Sequence, residues 1–125
     1  MKKIETEKAP AAVGPYSQAV ATETLIFISG QLPLDPTTGE FPGDEIVSQT
    51  KQSLTNMKEI LNSAGLDMSD VVKTTVLMTN LADFLKMNEV YETFFASPAP
   101  ARSTFQVAAL PKGALVEIEA IAERK

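Results

Sequence analysis

Two segments of this chain are apolar on both of their alternating faces. Residues 24–29 read TLIFIS and residues 71–78 read VVKTTVLM. β-Branched and aromatic side chains dominate both, which favours strands. A half-solvated strand alternates apolar and polar side chains. These two do not, so the sheet that contains them needs cover on both faces. With 125 residues the chain is the size of one domain, residues 1–125 throughout. That length supplies one helical layer and leaves nothing for a third. The pattern therefore predicts association of copies through a sheet face.

The helical layer is legible in two places. From Asp44 the apolar residues recur at steps of three and four: Ile46, Val47, Thr50, Leu54, Met57, Leu61 and Ala64. This predicts an amphipathic helix with Asp44 and Glu45 at its positive end and Gly65 as a left-handed stop. Asn80 followed by Asp83 predicts the start of a second helix running to about Phe95. Leu81, Phe84, Leu85, Tyr91 and Phe95 would form its apolar stripe. The SPAPA run then breaks the chain. Further strands are expected at 16–21, 103–108 and 115–122, the last two joined by the turn at Leu110–Gly113. Residues 1–15 read as loop, Gly30 as the end of the strand before it, and residues 31–43 as loop or hairpin. The order is β-β-α-β-α-β-β, an α+β fold with helices on one face of a sheet.

Composition removes much chemistry. There is no cysteine and no histidine, which excludes thiol nucleophiles, zinc fingers, Ser-His-Asp triads and histidine bases. Acid–base work falls to Glu, Asp, Tyr or Lys. The net charge of −5 opposes a broad clamp on nucleic acid. No metal-binding motif is present, and no apolar run approaches the roughly 20 residues of a membrane span. The MKKIETEKAP start lacks the apolar core of a signal peptide. A soluble cytoplasmic protein is expected.

Chemistry-bearing residues concentrate between Pro100 and Glu119, PARSTFQVAALPKGALVEIE. Arg102 heads a strand-like segment after a proline-stiffened loop, with Ser103 and Thr104 beside it. Its planar fork suits a carboxylate. The alternative is an edge-strand arginine paired with a surface acid. Glu117 and Glu119 share one strand parity and point the same way. Either one could serve as an acid or base, or both could be a solvated stripe. Asn88 falls inside the apolar stripe of the second helix, where it must find partners or line a pocket. Gly30 allows close backbone approach beside Ser29, and Tyr16 follows a Gly-Pro turn. Turn geometry and half-burial are the plainer readings of those three.

Together the segments APAAVGPYSQAV, FISGQLPLDPTTGE, VVKTTVLMTNLADF, MNEVYETFF and PARSTFQVAALPKGALVEIEAIAERK resemble the Rid family, also called the YjgF family. The resemblance spans nearly the whole chain. It implies a chorismate mutase-like fold, with one mostly antiparallel sheet and two helices packed on one face. It also implies a homotrimer whose sheets form a central barrel, with ligand sites between subunits. Deaminase members hydrolyse reactive enamines and imines such as 2-aminoacrylate and 2-iminobutanoate, released by pyridoxal-phosphate dehydratases. The products are 2-keto acids and ammonia, and no cofactor is needed.

Carried over by position, Arg102 would hold the substrate carboxylate and Glu117 would orient or activate water. Tyr16, Ser29, Gly30, Asn88 and Thr104 would line the cleft. Thr104 stands where several relatives have cysteine, but the implied mechanism uses no thiol. Two other readings stand beside this one. One, served by the same arginine, is a non-catalytic trimeric module that binds small carboxylates. The other, implied by the resemblance because some members are described as translation inhibitors with ribonuclease activity, is an RNA-directed role, which the charge and the missing histidine disfavour.

Overall fold

The computed structural model describes residues 1–125. Six strands form one sheet: β1 (Lys2–Ile4), β2 (Ala19–Ala21), β3 (Leu25–Gln31), β4 (Val71–Met78), β5 (Ala101–Gln106) and β6 (Val116–Glu123). Their spatial order is β1-β2-β3-β6-β4-β5, and only β4 and β5 are parallel. Helices α1 (Ile46–Ser63) and α2 (Phe84–Glu92) cover one face. The architecture is the expected α+β layer. The chain passes from β3 through α1 to β4, and β6 inserts between those two strands. It then passes from β4 through α2 to its parallel neighbour β5. Both passages are helical crossovers of the kind parallel strands require.

Alternation along the strands decides which side chains meet the helices. On β6 Val116, Ile118, Ala120 and Ala122 are buried, and on β4 Thr74, Val76 and Met78 are. The apolar ones pack with Leu54, Met57, Ile60 and Met87 of the helices in one core. The opposite face has no cover within the chain. Phe27 is 41% exposed and Phe105 55%. That is the unpartnered apolar face the both-sided strands predict.

Several boundaries differ from the sequence pattern. β1 lies in a segment that reads as loop; it pairs with β2 at the sheet edge, Lys3 opposite Val20. Residues 16–18 do not continue β2. The buried Gln18 side chain instead accepts from Thr6 N at 2.8 Å and donates to Pro10 O at 2.8 Å, tying the N-terminal segment to the sheet. Leu81–Asp83 forms a 3-10 turn capped by Asn80, and α2 stops at Glu92. Its buried residues are Met87 and Tyr91, whereas Leu85 is 75% exposed. The apolar stripe expected there is thus rotated: Phe84, Met87 and Tyr91 face the sheet, and Asn88 flanks them.

Helix α1 starts on Glu45, whose carboxylate accepts from Val47 N at 2.9 Å and Ser48 N at 2.8 Å. It ends where predicted: Gly65 has φ +77°, and Leu66 N reaches back to Leu61 O at 3.0 Å. Its inner face is less apolar than the spacing suggests. Val47 is exposed, while Gln49 and Asn56 are buried. Asn56 donates to Leu32 O at 3.1 Å and Leu34 O at 2.9 Å; Gln49 donates to Gly43 O at 2.9 Å and accepts from Leu115 N at 2.8 Å. These amides pin both ends of the 32–43 loop. Asn56→Ala would leave two carbonyls without donors, and is expected to destabilise the fold by about 2–4 kcal/mol. Denaturant unfolding measures it; an unchanged midpoint would refute the clamp.

Candidate active site

β5 pairs in register with β4, Thr74 opposite Arg102 and Val76 opposite Thr104. Thr74 and Val76 face the helices, so Arg102 and Thr104 do too. Arg102 is half-buried, and its guanidinium carbon sits 4.7 Å from the centroid of the Tyr91 ring and 5.5 Å from that of Phe84. The chain's three ion pairs all lie elsewhere, at Lys3 and Lys125. Glu92 lines the same cleft but makes no ion pair with Arg102, so a cation held on aromatic faces remains available to an anion. The alternative of a surface-acid partner is not realised.

A cleft of about 490 Å³ opens at this arginine, lined by Asn88, Tyr91, Phe95, Pro100 and Arg102 among others. Asn88 Oδ1 and Thr104 Oγ1 are buried and lack hydrogen-bond partners. Burial pushes the Tyr91 phenol up, so it stays neutral; its hydroxyl meets Thr74 Oγ1 at 2.7 Å. A larger groove of about 680 Å³ runs between the helices, lined by Lys51, Met68, Val90 and Phe94 among others. None of the sequence-predicted residues reaches it.

The second group of residues lies on the opposite face. Glu117 and Glu119 occupy the open parity of β6, opposite Leu77 and Thr75 of β4. Glu117 is half-buried. Burial pushes its carboxyl above the ordinary range, and the Glu119 carboxylate two residues along adds to the rise. Beside it β3 bulges: Ile28 pairs with Ala120 but Gln31 with Ile118, so Ser29 and Gly30 take the extra residue. Glu117 folds over Gly30 so closely that a Cβ there would lie 2.8 Å from its Cδ. Ser29 Oγ donates to Ser17 O at 2.6 Å and Ser29 N to Gln18 O at 2.9 Å. Tyr16, 54% exposed, stands just before that strap. No group of three or more acidic side chains is arranged to hold a metal ion.

Sequence reasoning puts Arg102 and Glu117 at one site on neighbouring strands. In one chain they are not neighbours. β4 separates β5 from β6, about 10 Å at ordinary strand spacing, and the two side chains leave opposite faces. The chain carries two half-sets: Arg102, Asn88 and Thr104 by the helices, and Tyr16, Ser29, Gly30 and Glu117 on the open side. Sequence reasoning also misses Tyr91, Phe84 and Thr74 as the surroundings of Arg102. Phe84 and Tyr91 are seven residues apart on one helix face, but the parallel β4–β5 pairing that brings Arg102 beneath them leaves no local signal.

A family profile described as Endoribonuclease L-PSP matches residues 6–124. The mouse protein 2-iminobutanoate/2-iminopropanoate deaminase is 54% identical over 121 residues, covering 97% of this chain and 90% of that one. The Arabidopsis thaliana chloroplastic Reactive Intermediate Deaminase A is 56% identical over 119 residues, 95% of this chain, which spans only 64% of that longer protein. The crystal structure of E. coli TdcF with bound serine superposes with a TM-score of 0.96 at 48% identity, over the full length of both chains. Whole-chain similarity of this order, in sequence and in backbone, leaves one assignment: the chain belongs to the Rid (YjgF) family.

Proposed function

We propose that this protein hydrolyses reactive 2-imino acids, the tautomers of enamines such as 2-aminoacrylate, to 2-keto acids and ammonia. The observation that carries the reading is Arg102: half-buried, oriented on two aromatic rings and free of any acid partner. Relatives named 2-iminobutanoate/2-iminopropanoate deaminase, 52–54% identical over nearly the whole chain, support it.

Arg102 binds the substrate carboxylate bidentately. Glu117 takes a proton from water as the water oxygen bonds to the imine carbon and the C=N electron pair moves to nitrogen. The nitrogen takes up two protons, one from Glu117 and one from solvent; the C–N bond then breaks, ammonia leaves, and the hydroxyl proton passes to solvent as the C=O bond forms. Asn88 and Thr104 offer polar atoms without partners on the Arg102 side. Ser29, Gly30 and Tyr16 shape the Glu117 side. An imine is already electrophilic, so positioning supplies much of the acceleration.

The two half-sets serve one substrate only across a subunit boundary, Arg102 from one chain and Glu117 from the next. A homotrimer with the open sheet faces turned inward does this and covers Phe27 and Phe105. The substrates arise where amino acids are dehydrated, which fits a cytoplasmic protein; no helix here is long and apolar enough to cross a membrane. RNA cleavage, suggested by the family description, has neither a histidine nor a positive net charge behind it.

A dehydratase generating 2-aminoacrylate from serine tests the reading. Purified protein should accelerate keto-acid release. Ligand binding with release at the spontaneous rate would mark a binding module instead. The pH profile gives a further check. Folding raises the proton affinity of Glu117, a contribution to stability that is present below its ordinary pKa and lost as pH rises through the raised one. As a base it must be ionised, so kcat/KM should fall on the acid side at a pH above the ordinary carboxylate range. Glu119→Gln removes the nearby charge and should move that limb to lower pH. A limb unmoved by this change would refute the coupling.

A further inference from the structure

Arg102 is held without an ion pair or a side-chain hydrogen bond, yet the ring beneath it is held at several points. The Tyr91 hydroxyl meets Thr74 Oγ1 at 2.7 Å in the protein interior. The Tyr91 ring packs on Phe95 with centroids 4.6 Å apart. Tyr91 is 6% exposed and Thr74 is fully buried. Thr74 is also the register partner of Arg102 across the parallel β4–β5 pair. Three groups thus close a short circuit: Arg102 beside Thr74 along the sheet, Thr74 bonded to Tyr91, and Tyr91 stacked on Arg102.

A valine and a phenylalanine would fill the same space without burying two hydroxyls. What the hydroxyl pair adds is direction. An aromatic ring in an apolar layer can tilt and slide; one bonded at its para position to a central strand cannot. A guanidinium seated 4.7 Å over that ring takes its place from the ring, and that place limits where the two parallel N–H bonds of the fork can point.

We propose that Thr74 and Tyr91 are positioning residues, whose hydrogen bond fixes the ring on which Arg102 lies and so pre-orients its fork for the substrate carboxylate. The inference rests on the reading of Arg102 as the carboxylate clamp. It does not require that the bound molecule react.

Four full-chain variants test it: Tyr91→Phe, Thr74→Val, the Tyr91→Phe/Thr74→Val double and Tyr91→Leu. The readouts are Kd for 2-oxobutanoate by calorimetry, KM and kcat in the coupled assay, and Tm. Tyr91→Leu removes the platform and should weaken 2-oxobutanoate binding about tenfold, with KM rising more than kcat falls. Each single hydroxyl deletion orphans a buried hydroxyl or its partner, so it should lower both Tm and affinity. In the double variant no hydroxyl is left unpaired, so Tm should recover. Affinity should not, because the ring is no longer tethered.

Recovery of affinity together with Tm would reduce the pair to a packing role and overturn the proposal. So would unchanged Kd across the series in a protein whose wild type binds 2-oxobutanoate. If the wild type binds and the variants behave as expected, but keto-acid release stays spontaneous, the deaminase reading fails and the positioning role stands. If the wild type does not bind 2-oxobutanoate, the clamp and this proposal fall together.

Discussion

Arg102→Ala is expected to lower kcat/KM for imine hydrolysis by about 10²–10³-fold, because it removes a bidentate, partly desolvated charge contact. The fold should hardly notice. Arg102 makes no ion pair, and its stacking on Tyr91 and Phe84 contributes about 0.5–1 kcal/mol at a half-exposed site. A small Tm change with collapsed activity separates a ligand-binding arginine from a structural one. Arg102→Lys sharpens the test. It keeps the charge and loses the fork, so it should fall between the two. Keto-acid release by Arg102→Ala at the wild-type rate would remove the arginine from the site.

Gly30→Ala is the second large effect, and it acts through a different residue. The new methyl would sit 2.8 Å from Cδ and 2.9 Å from Oε2 of Glu117. Gly30 does not have a positive φ, so the backbone tolerates alanine there. The methyl meets only the end of a flexible side chain, which can swing away. Stability should change by less than about 1 kcal/mol. The carboxylate, however, leaves the place its water requires, and kcat should fall about 10²-fold or more. Glu117→Gln should produce the same loss. If Arg102 is the carboxylate clamp as proposed, 2-oxobutanoate affinity should persist in both variants. Near-normal kcat in Gly30→Ala would show that the position of Glu117 does not matter to the reaction.

The layers of this fold were legible because they rest on local periodicity. The period-four run from Ile46 and the β-branched run at Val71–Met78 both became the elements they predict. The exposed Phe27 and Phe105 match the expected uncovered face. What local pattern could not carry was pairing. Nothing in KKI marks a strand, because β1 exists only through its ladder to β2. Nothing near Arg102 says that its neighbour is β4 rather than β6. Proximity in sequence suggested that Arg102 and Glu117 sit together, and sheet order put them apart. The polar residues buried on α1 were equally hidden: Gln49 and Asn56 are inside because loop carbonyls far along the chain need donors.

The opposed facing of Arg102 and Glu117 has a thermodynamic consequence for assembly. A molecule gripped by the arginine of one chain and seated against the glutamate of the next touches two chains at once. Binding linkage is reciprocal: if joining the chains raises affinity for the molecule, the molecule raises the affinity of the chains for one another by the same factor. If the proposed site between chains is right, the substrate would also act as a mortar. Dilution or denaturant should then part ligand-free particles sooner than filled ones, so the assembly would be held together most firmly when there are imines to hydrolyse.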